Sequence, residues 1–217
     1  MYPNPMRVTQ IGHGCLYIMS KPTGGEYLSD DVAYLARNGI THVVSLLEHA
    51  EASELGLSAE DDFCNLHGIR FEQFPIADRS IPNSIQRFVN SLARSLESML
   101  SGAHLIAHCR AGIGRSGIYA TSLLIRYGFA AQDAFALVSE ARGITIPDTQ
   151  AQIDWIHANE KELRVLSQEQ AAGRGPFDYT GEQPMNGYYL YVTLPAAAPT
   201  CPTSHQHQSK AVSGTDG

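Results

Sequence analysis

The chain has 217 residues, 43% hydrophobic and 17% charged, which argues against a disordered or fibrous protein and leaves room for one substantial domain plus extra material. Its 22 Asp+Glu against 15 Lys+Arg give a formal charge of −7, so neither nucleic acid nor an anionic membrane is expected as the main partner. No apolar run approaches the roughly 18 residues of a membrane-spanning helix, and Met1 to Arg7 lacks the apolar core of a signal peptide.

In chain order, Leu16 to Ile18 is a short strand candidate. Residues 29–38 read as a helix, with Ser29 as cap, Val32 and Leu35 on one face and Gly39 as the stop. Thr41 to Leu47 is a β-branched, apolar run and predicts a buried strand. Residues 58–66 read as a short helix, and 69–76 as a strand in which Ile69, Phe71 and Gln73 alternate. After Pro82, the residues Ile85, Phe88, Val89, Leu92, Leu96, Met99 and Leu100 fall at helical spacing, with Asn83 or Ser84 as cap and Gly102 beyond the end. His104 to His108 predicts a buried strand leading into a glycine-rich turn. Helices are expected at 117–127, 131–142 and 149–167.

Strands alternating with helices imply an α/β fold: a central, mostly parallel twisted sheet flanked by helices. The composition changes near residue 170. Residues 171–217 hold five of the eleven prolines and many Gly, Ser, Thr and Gln, too little apolar surface to offset chain entropy. The expected organisation is therefore a domain over 1–170 and a flexible tail over 171–217. Within the tail, 188–194 could form an edge strand, and His205 and His207 read as solvated polar residues rather than metal ligands.

The four cysteines, Cys15, Cys64, Cys109 and Cys201, are scattered without a CxxC pair, so reduced thiols in a cytoplasm are expected. Cys109 stands apart. It ends the predicted strand and opens the run Cys109-Arg110-Ala111-Gly112-Ile113-Gly114-Arg115-Ser116. Gly112 and Gly114 allow a tight turn that points successive N–H groups inward, and a helix beginning near Arg115 adds its positive end to the same point. A thiol facing such a cradle is expected to ionise readily and to act as a nucleophile. Arg115 can grip two oxygens of a phosphoryl group bidentately. No GK[ST] follows the glycines, which excludes an ATP-type phosphate loop. Covalent phosphoryl transfer through cysteine, with neither metal nor other cofactor, suits the segment.

Cys109-x5-Arg115-Ser116, preceded by His108 and an apolar strand, resembles the signature of the cysteine-based protein tyrosine phosphatases, and within them the dual-specificity group. Phe74-Pro75-Ile76-Ala77-Asp78-Arg79-Ser80-Ile81-Pro82 is similar to the general-acid loop of the kinase-associated phosphatase branch. The resemblance spans roughly residues 10–160. It implies Cys109 as nucleophile and Arg115 with the amides of Arg110, Ala111, Gly112, Ile113 and Gly114 as the phosphoryl site. Asp78 would be the general acid and then base. Ser116 would hydrogen-bond the thiolate, and His108 would hold the loop through hydrogen bonds. Gln152 falls where some relatives place a water-orienting glutamine, but the local match is weak and a plain surface glutamine is the preferred reading. Asp61, Asp62 and Asp148 compete with Asp78 for the acid role.

The acid loop reads Ile76-Ala77-Asp78 rather than Trp-Pro-Asp, and no aromatic clamp segment is present. A shallow pocket for phosphotyrosine, phosphothreonine or phosphoserine on a protein or peptide follows. Basic residues at both variable loop positions would mark the lipid-phosphatase relatives; here Arg110 is basic and Ile113 apolar, which leaves phosphoinositides as the alternative. A phosphate-binding pseudophosphatase and a thiol redox enzyme are rivals from other classes. In some relatives a second cysteine pairs with the nucleophile on oxidation, a role that would fall here to Cys15 or Cys64.

Overall fold

The computed structural model describes residues 2–164. The predicted domain boundary at 170, the tail, the strand candidate at 188–194, His205, His207, Cys201 and the last residues of the helix predicted to reach 167 lie outside the described residues.

Five strands form one sheet in the order β1-β2-β5-β3-β4: β1 Met6–Ile11, β2 Gly14–Ser20, β3 His42–Ser45, β4 Arg70–Gln73 and β5 His104–Cys109. The pairs β2/β5, β5/β3 and β3/β4 are parallel, and the edge pair β1/β2 is antiparallel. The sheet is therefore mostly parallel, as the alternation of strand and helix implies. Strand β1 is a departure from the sequence reading. A two-residue turn at Gly12-His13 joins it to β2, with Gly12 at φ 58, and a register shift between Arg7 and Thr9 blurs its alternation.

The helices are α1 Leu28–Arg37, α2 His49–Glu54, α3 Glu60–Leu66, α4 Ile85–Leu100, α5 Gly114–Tyr127, α6 Ala131–Arg142, α7 Gln150–Ala158 and α8 Glu160–Arg164. Helix α1 is not capped by Ser29. It continues directly from a 3-10 turn at Gly25–Tyr27, and no side-chain cap is made. Gly39, at φ 80, ends the segment as expected. Helix α4 is capped by Ser84, whose hydroxyl accepts from the Arg87 amide. The single helix predicted from 149 is two helices that meet at Asn159; Thr149 caps the first by accepting from the Gln152 amide. Helix α2 is not apparent in the sequence, because six residues are too few for a periodic stripe.

Helix α5 is buried from Arg115 to Arg126 and packs on α4, α6, α7 and α8 as well as on β5 and β2. That enclosure explains why its sequence, GIYATSLLI, is apolar almost all round. Its buried tyrosine is satisfied internally: the Tyr119 hydroxyl lies 2.8 Å from both Ser91 Oγ and Ser95 Oγ of α4. Phe88 of α4 packs edge-on against Phe74, Tyr119 and Trp155, so the segment entering the Asp78 loop, α5 and α7 share one aromatic cluster. No helix among the described residues is long and apolar enough to cross a membrane.

Candidate active site

Ligands of parallel sheets bind beyond the carboxyl ends of the strands, and β5, the central strand, delivers Cys109 there. The chain then turns through 110–113 into α5. Gly112 sits at φ 71 with its backbone against β2; a Cβ there would lie 2.4 Å from the carbonyl carbon and oxygen of Met19. Only glycine fits, and this contact gives the turn its shape.

Cys109 is 3% exposed, and its Sγ lies 3.3 Å from Ser116 Oγ in the first turn of α5. Arg115, 2% exposed, is held on several sides. Its Nη1 and Nη2 donate to Glu51 Oε2 and Oε1 at 2.5 and 2.9 Å, its Nη1 also donates to the Ile76 carbonyl at 3.2 Å, and its Nη2 lies 2.9 Å from Asp78 Oδ1. Burial pulls the guanidinium down, but Glu51, Cys109 and Asp78 raise it by more, so its charge is retained. The Arg115 hydrogen bond holds the Glu51 carboxyl below its usual value against the opposing effect of burial.

Asp78 side-chain exposure is 63%, at the rim of a cleft of about 190 Å³ shared with Cys109, Arg110, Ala111, Ile113, Gly114 and Arg115. Of the competing acids, Asp61 and Asp62 are exposed on α3 and do not line this cleft, whereas Asp148 does. Arg110 is exposed beside the cradle. Gln152 is not a surface residue: it is 0% exposed, packs at Gly114 and donates from Nε2 to the Ser80 carbonyl at 3.0 Å. His108 is also wholly buried, but its ring does not hydrogen-bond the loop as expected. Its Nε2 lies 3.0 Å from Glu60 Oε1 of α3, at ion-pairing distance yet out of line for a hydrogen bond.

Sequence reading missed three neighbours of the cradle: Glu51, Glu60 and Arg142. Arg142, at the end of α6, donates from Nη2 to the Ala111 carbonyl at 3.0 Å. Burial lowers its guanidinium, and charge at Cys109 acts in the other direction. The only signal for Glu51 was its place just after β3, at the same carboxyl edge as Cys109. Among the described residues Cys15, Cys64 and Cys109 form no disulfide with one another. In the β2/β5 register Cys15 pairs with His104 and Ser20 with Cys109. Five residues of strand separate Cys15 from Cys109, roughly 16 Å, well beyond disulfide reach. No group of three or more His, Cys, Asp or Glu among the described residues is placed to hold a metal ion.

Residues 18–129 match a family model described as a polymorphic toxin system, DSP-PTPase phosphatase. Dual specificity protein phosphatase 22 of Xenopus tropicalis is 30% identical over 123 residues, 54% of this chain and 51% of that protein. The chain thus spans about half the length of the relatives it matches. Among solved structures, a kinase associated phosphatase whose catalytic cysteine is replaced by serine aligns with a TM-score of 0.67 and 19% identity, over 76% of this chain and 99% of that one. A phosphatidylinositol 3,4,5-trisphosphate 3-phosphatase and protein-tyrosine-phosphatase of Arabidopsis thaliana is 28% identical over 143 residues, 60% of this chain and 34% of that protein. The chain belongs to the cysteine-based dual-specificity phosphatase family.

Proposed function

We propose that the protein hydrolyses phosphate monoesters on tyrosine, and on serine or threonine, of phosphorylated proteins or peptides through a phosphocysteine intermediate. The observation that carries this reading is the meeting of two separate segments at one cleft: the 109–116 run, with Ser116 beside Cys109, and the loop of Asp78, which pairs with Arg115. Arg115 and the amides of 110–115 bind the phosphoryl oxygens. The Cys109 thiolate attacks phosphorus; the S–P bond forms, the P–O ester bond breaks, and Asp78 gives its proton to the leaving oxygen. Water then attacks phosphorus and loses a proton to the Asp78 carboxylate. The S–P bond breaks, with the Ser116 hydroxyl donating to the departing thiolate, and inorganic phosphate leaves.

Glu51 positions Arg115 for this work, and Arg142 supports the cradle through the Ala111 carbonyl. Glu60 faces His108 behind the nucleophile. Gln152, between the cradle and Ser80, supports the acid loop. Cys15, Cys64 and Cys109, with no disulfide joining them among the described residues, suit a reducing compartment such as the cytoplasm. Exposed Arg110 supports a second reading, a phosphoinositide substrate, to which the Arabidopsis relative's similarity also lends weight.

The test is hydrolysis of para-nitrophenyl phosphate in EDTA, wild type beside Cys109→Ser, followed by phosphotyrosine, phosphothreonine and phosphoserine peptides and inositol phosphates. Activity that disappears in Cys109→Ser is the expected result. A folded, inactive wild type that still binds phosphate would instead make the protein a phosphate reader. Preference for inositol phosphates over every peptide would move the substrate to lipids.

A further inference from the structure

The turn that carries Asp78 is closed by the Ser80 amide donating to the Ala77 carbonyl at 3.0 Å, so Asp78 and Arg79 are its central residues. Arg79 has φ 55, and no other non-glycine residue described has a positive φ. That position of a turn is normally filled by Gly or Asn, and a long side chain there is strained. What arginine supplies and glycine would not is a charge that reaches across the cleft mouth: its Nη1 lies 3.7 Å from Asp148 Oδ2, on the segment between α6 and α7. Asp148 is itself seated against the cradle, with its Oδ1 2.5 Å from where a Cβ on Gly114 would stand. From the first turn of α7 just beyond it, buried Gln152 donates to the carbonyl of Ser80. The two residues that follow the acid are thus each tied to one neighbouring segment, one tie at the surface and one buried.

We propose that the Arg79–Asp148 pair is a positioning device that holds the Asp78 turn over Cys109, and that the strained arginine is retained for that contact. The proposal rests on Asp78 acting as the acid in the reaction above. With Arg79 69% exposed and Asp148 35% exposed, the pair adds little to overall stability. Its effect falls instead on how often the acid is in place, and a step that needs no acid does not feel it.

The experiment compares para-nitrophenyl phosphate, whose leaving group needs little protonation, with phenyl phosphate, whose leaving group needs it. Arg79→Gly and Asp148→Asn are each expected to lower kcat on phenyl phosphate by about fivefold, the ~1 kcal/mol upper end for an exposed pair. For Arg79→Gly, KM on both substrates and kcat on para-nitrophenyl phosphate should hold. The double variant should lose no more than either single one, and the charge swap R79D/D148R should recover the rate. Wild type should lose the same factor at ~1 M salt, where the screening length is ~3 Å. Arg79→Gly, which relieves the backbone, should not lower Tm.

Equal rates for wild type and Arg79→Gly on phenyl phosphate would overturn the proposal while leaving the phosphatase reading intact. So would equal losses on both substrates, additive losses in the double variant, or a salt effect that persists in Arg79→Gly. Absence of any Cys109-dependent hydrolysis of para-nitrophenyl phosphate by wild type would overturn both.

Discussion

Replacing Glu51 by glutamine tests how Arg115 is held. The carboxylate takes two guanidinium hydrogen bonds at 2.5 and 2.9 Å, with the arginine 2% and the glutamate 13% exposed. Glutamine keeps the shape and one acceptor oxygen, but it turns an NH2 toward guanidinium donors and removes the charge. A hydrogen bond to a charged group contributes about 1.5–3 kcal/mol, and Asp78 and the Ile76 carbonyl remain to receive part of the guanidinium. The expected loss at neutral pH is therefore ~2–3 kcal/mol. For a chain of this size that is a fall in Tm of roughly 4–12 °C.

The pH dependence gives a second reading of the same interaction. Arg115 depresses the Glu51 carboxyl below 4.5 in the folded state. Its stabilisation is then fully present above that value and is lost as pH falls through the lower folded one. The gap between wild type and Glu51→Gln should accordingly be widest at pH ~7 and close below pH ~4. Urea unfolding followed by circular dichroism at both pH values, with calorimetry of inorganic phosphate binding, measures it. Phosphate should bind more weakly to the variant, since a loosened Arg115 must be ordered again on binding. A loss under ~1 kcal/mol with no narrowing of the gap in acid would refute the argument and leave Asp78 and the Ile76 carbonyl as sufficient supports for Arg115.

Other expectations concern the cradle and the core behind it. Gly112→Ala and Gly143→Ala share nearly the same backbone, φ 71 and 70, but a Cβ at 112 meets Met19 and Ser20 backbone within 2.6 Å whereas nothing lies within 4 Å at 143. Thermal unfolding should show the first costing more than ~2 kcal/mol, with loss of phosphate binding, and the second about 1. Equal costs would mean that φ alone decides. Burial, Glu60 and Asp61 push the Cys64 thiol up to about 12 from 9.0. The unfolded chain then releases this proton near pH 9 while the folded one keeps it, so stability falls as pH rises from 9 toward 12. Tyr119, raised by burial, acts in the same direction at higher pH. Cys64→Ala should cost ~1 kcal/mol at neutral pH yet flatten the alkaline fall by up to ~1.4 kcal/mol per pH unit, measured by urea midpoints at pH ~7, ~9 and ~10. An unchanged alkaline slope would remove Cys64 as its source.

The legible parts of this protein were those in which conformation and chemistry lie close together along the chain. The apolar run before Cys109, the glycines after it, the spacing to Arg115 and Ser116, and the helical stripe after Pro82 all depend on neighbours within a few residues, and β5, the cradle and α4 stand where that reading put them. Strand β1 was missed because its register slips near Val8, and α2 because it is shorter than two turns. Gln152 looked like an ordinary surface residue until α7 was seen to pack it against Gly114.

The amino-acid sequence by itself therefore determined the α/β class, the glycine-rich turn that follows Cys109 and the residue types gathered in it, because turn geometry and periodicity are local. The tertiary structure alone decided that Glu51 grips Arg115, that Glu60 rather than the loop faces His108, that Arg142 reaches the Ala111 carbonyl, and that Asp148 answers Arg79. Those partners lie between 31 and 69 positions apart in the chain. They meet only because the order β1-β2-β5-β3-β4 gathers the loops at one edge of the sheet, and no local pattern encodes that order.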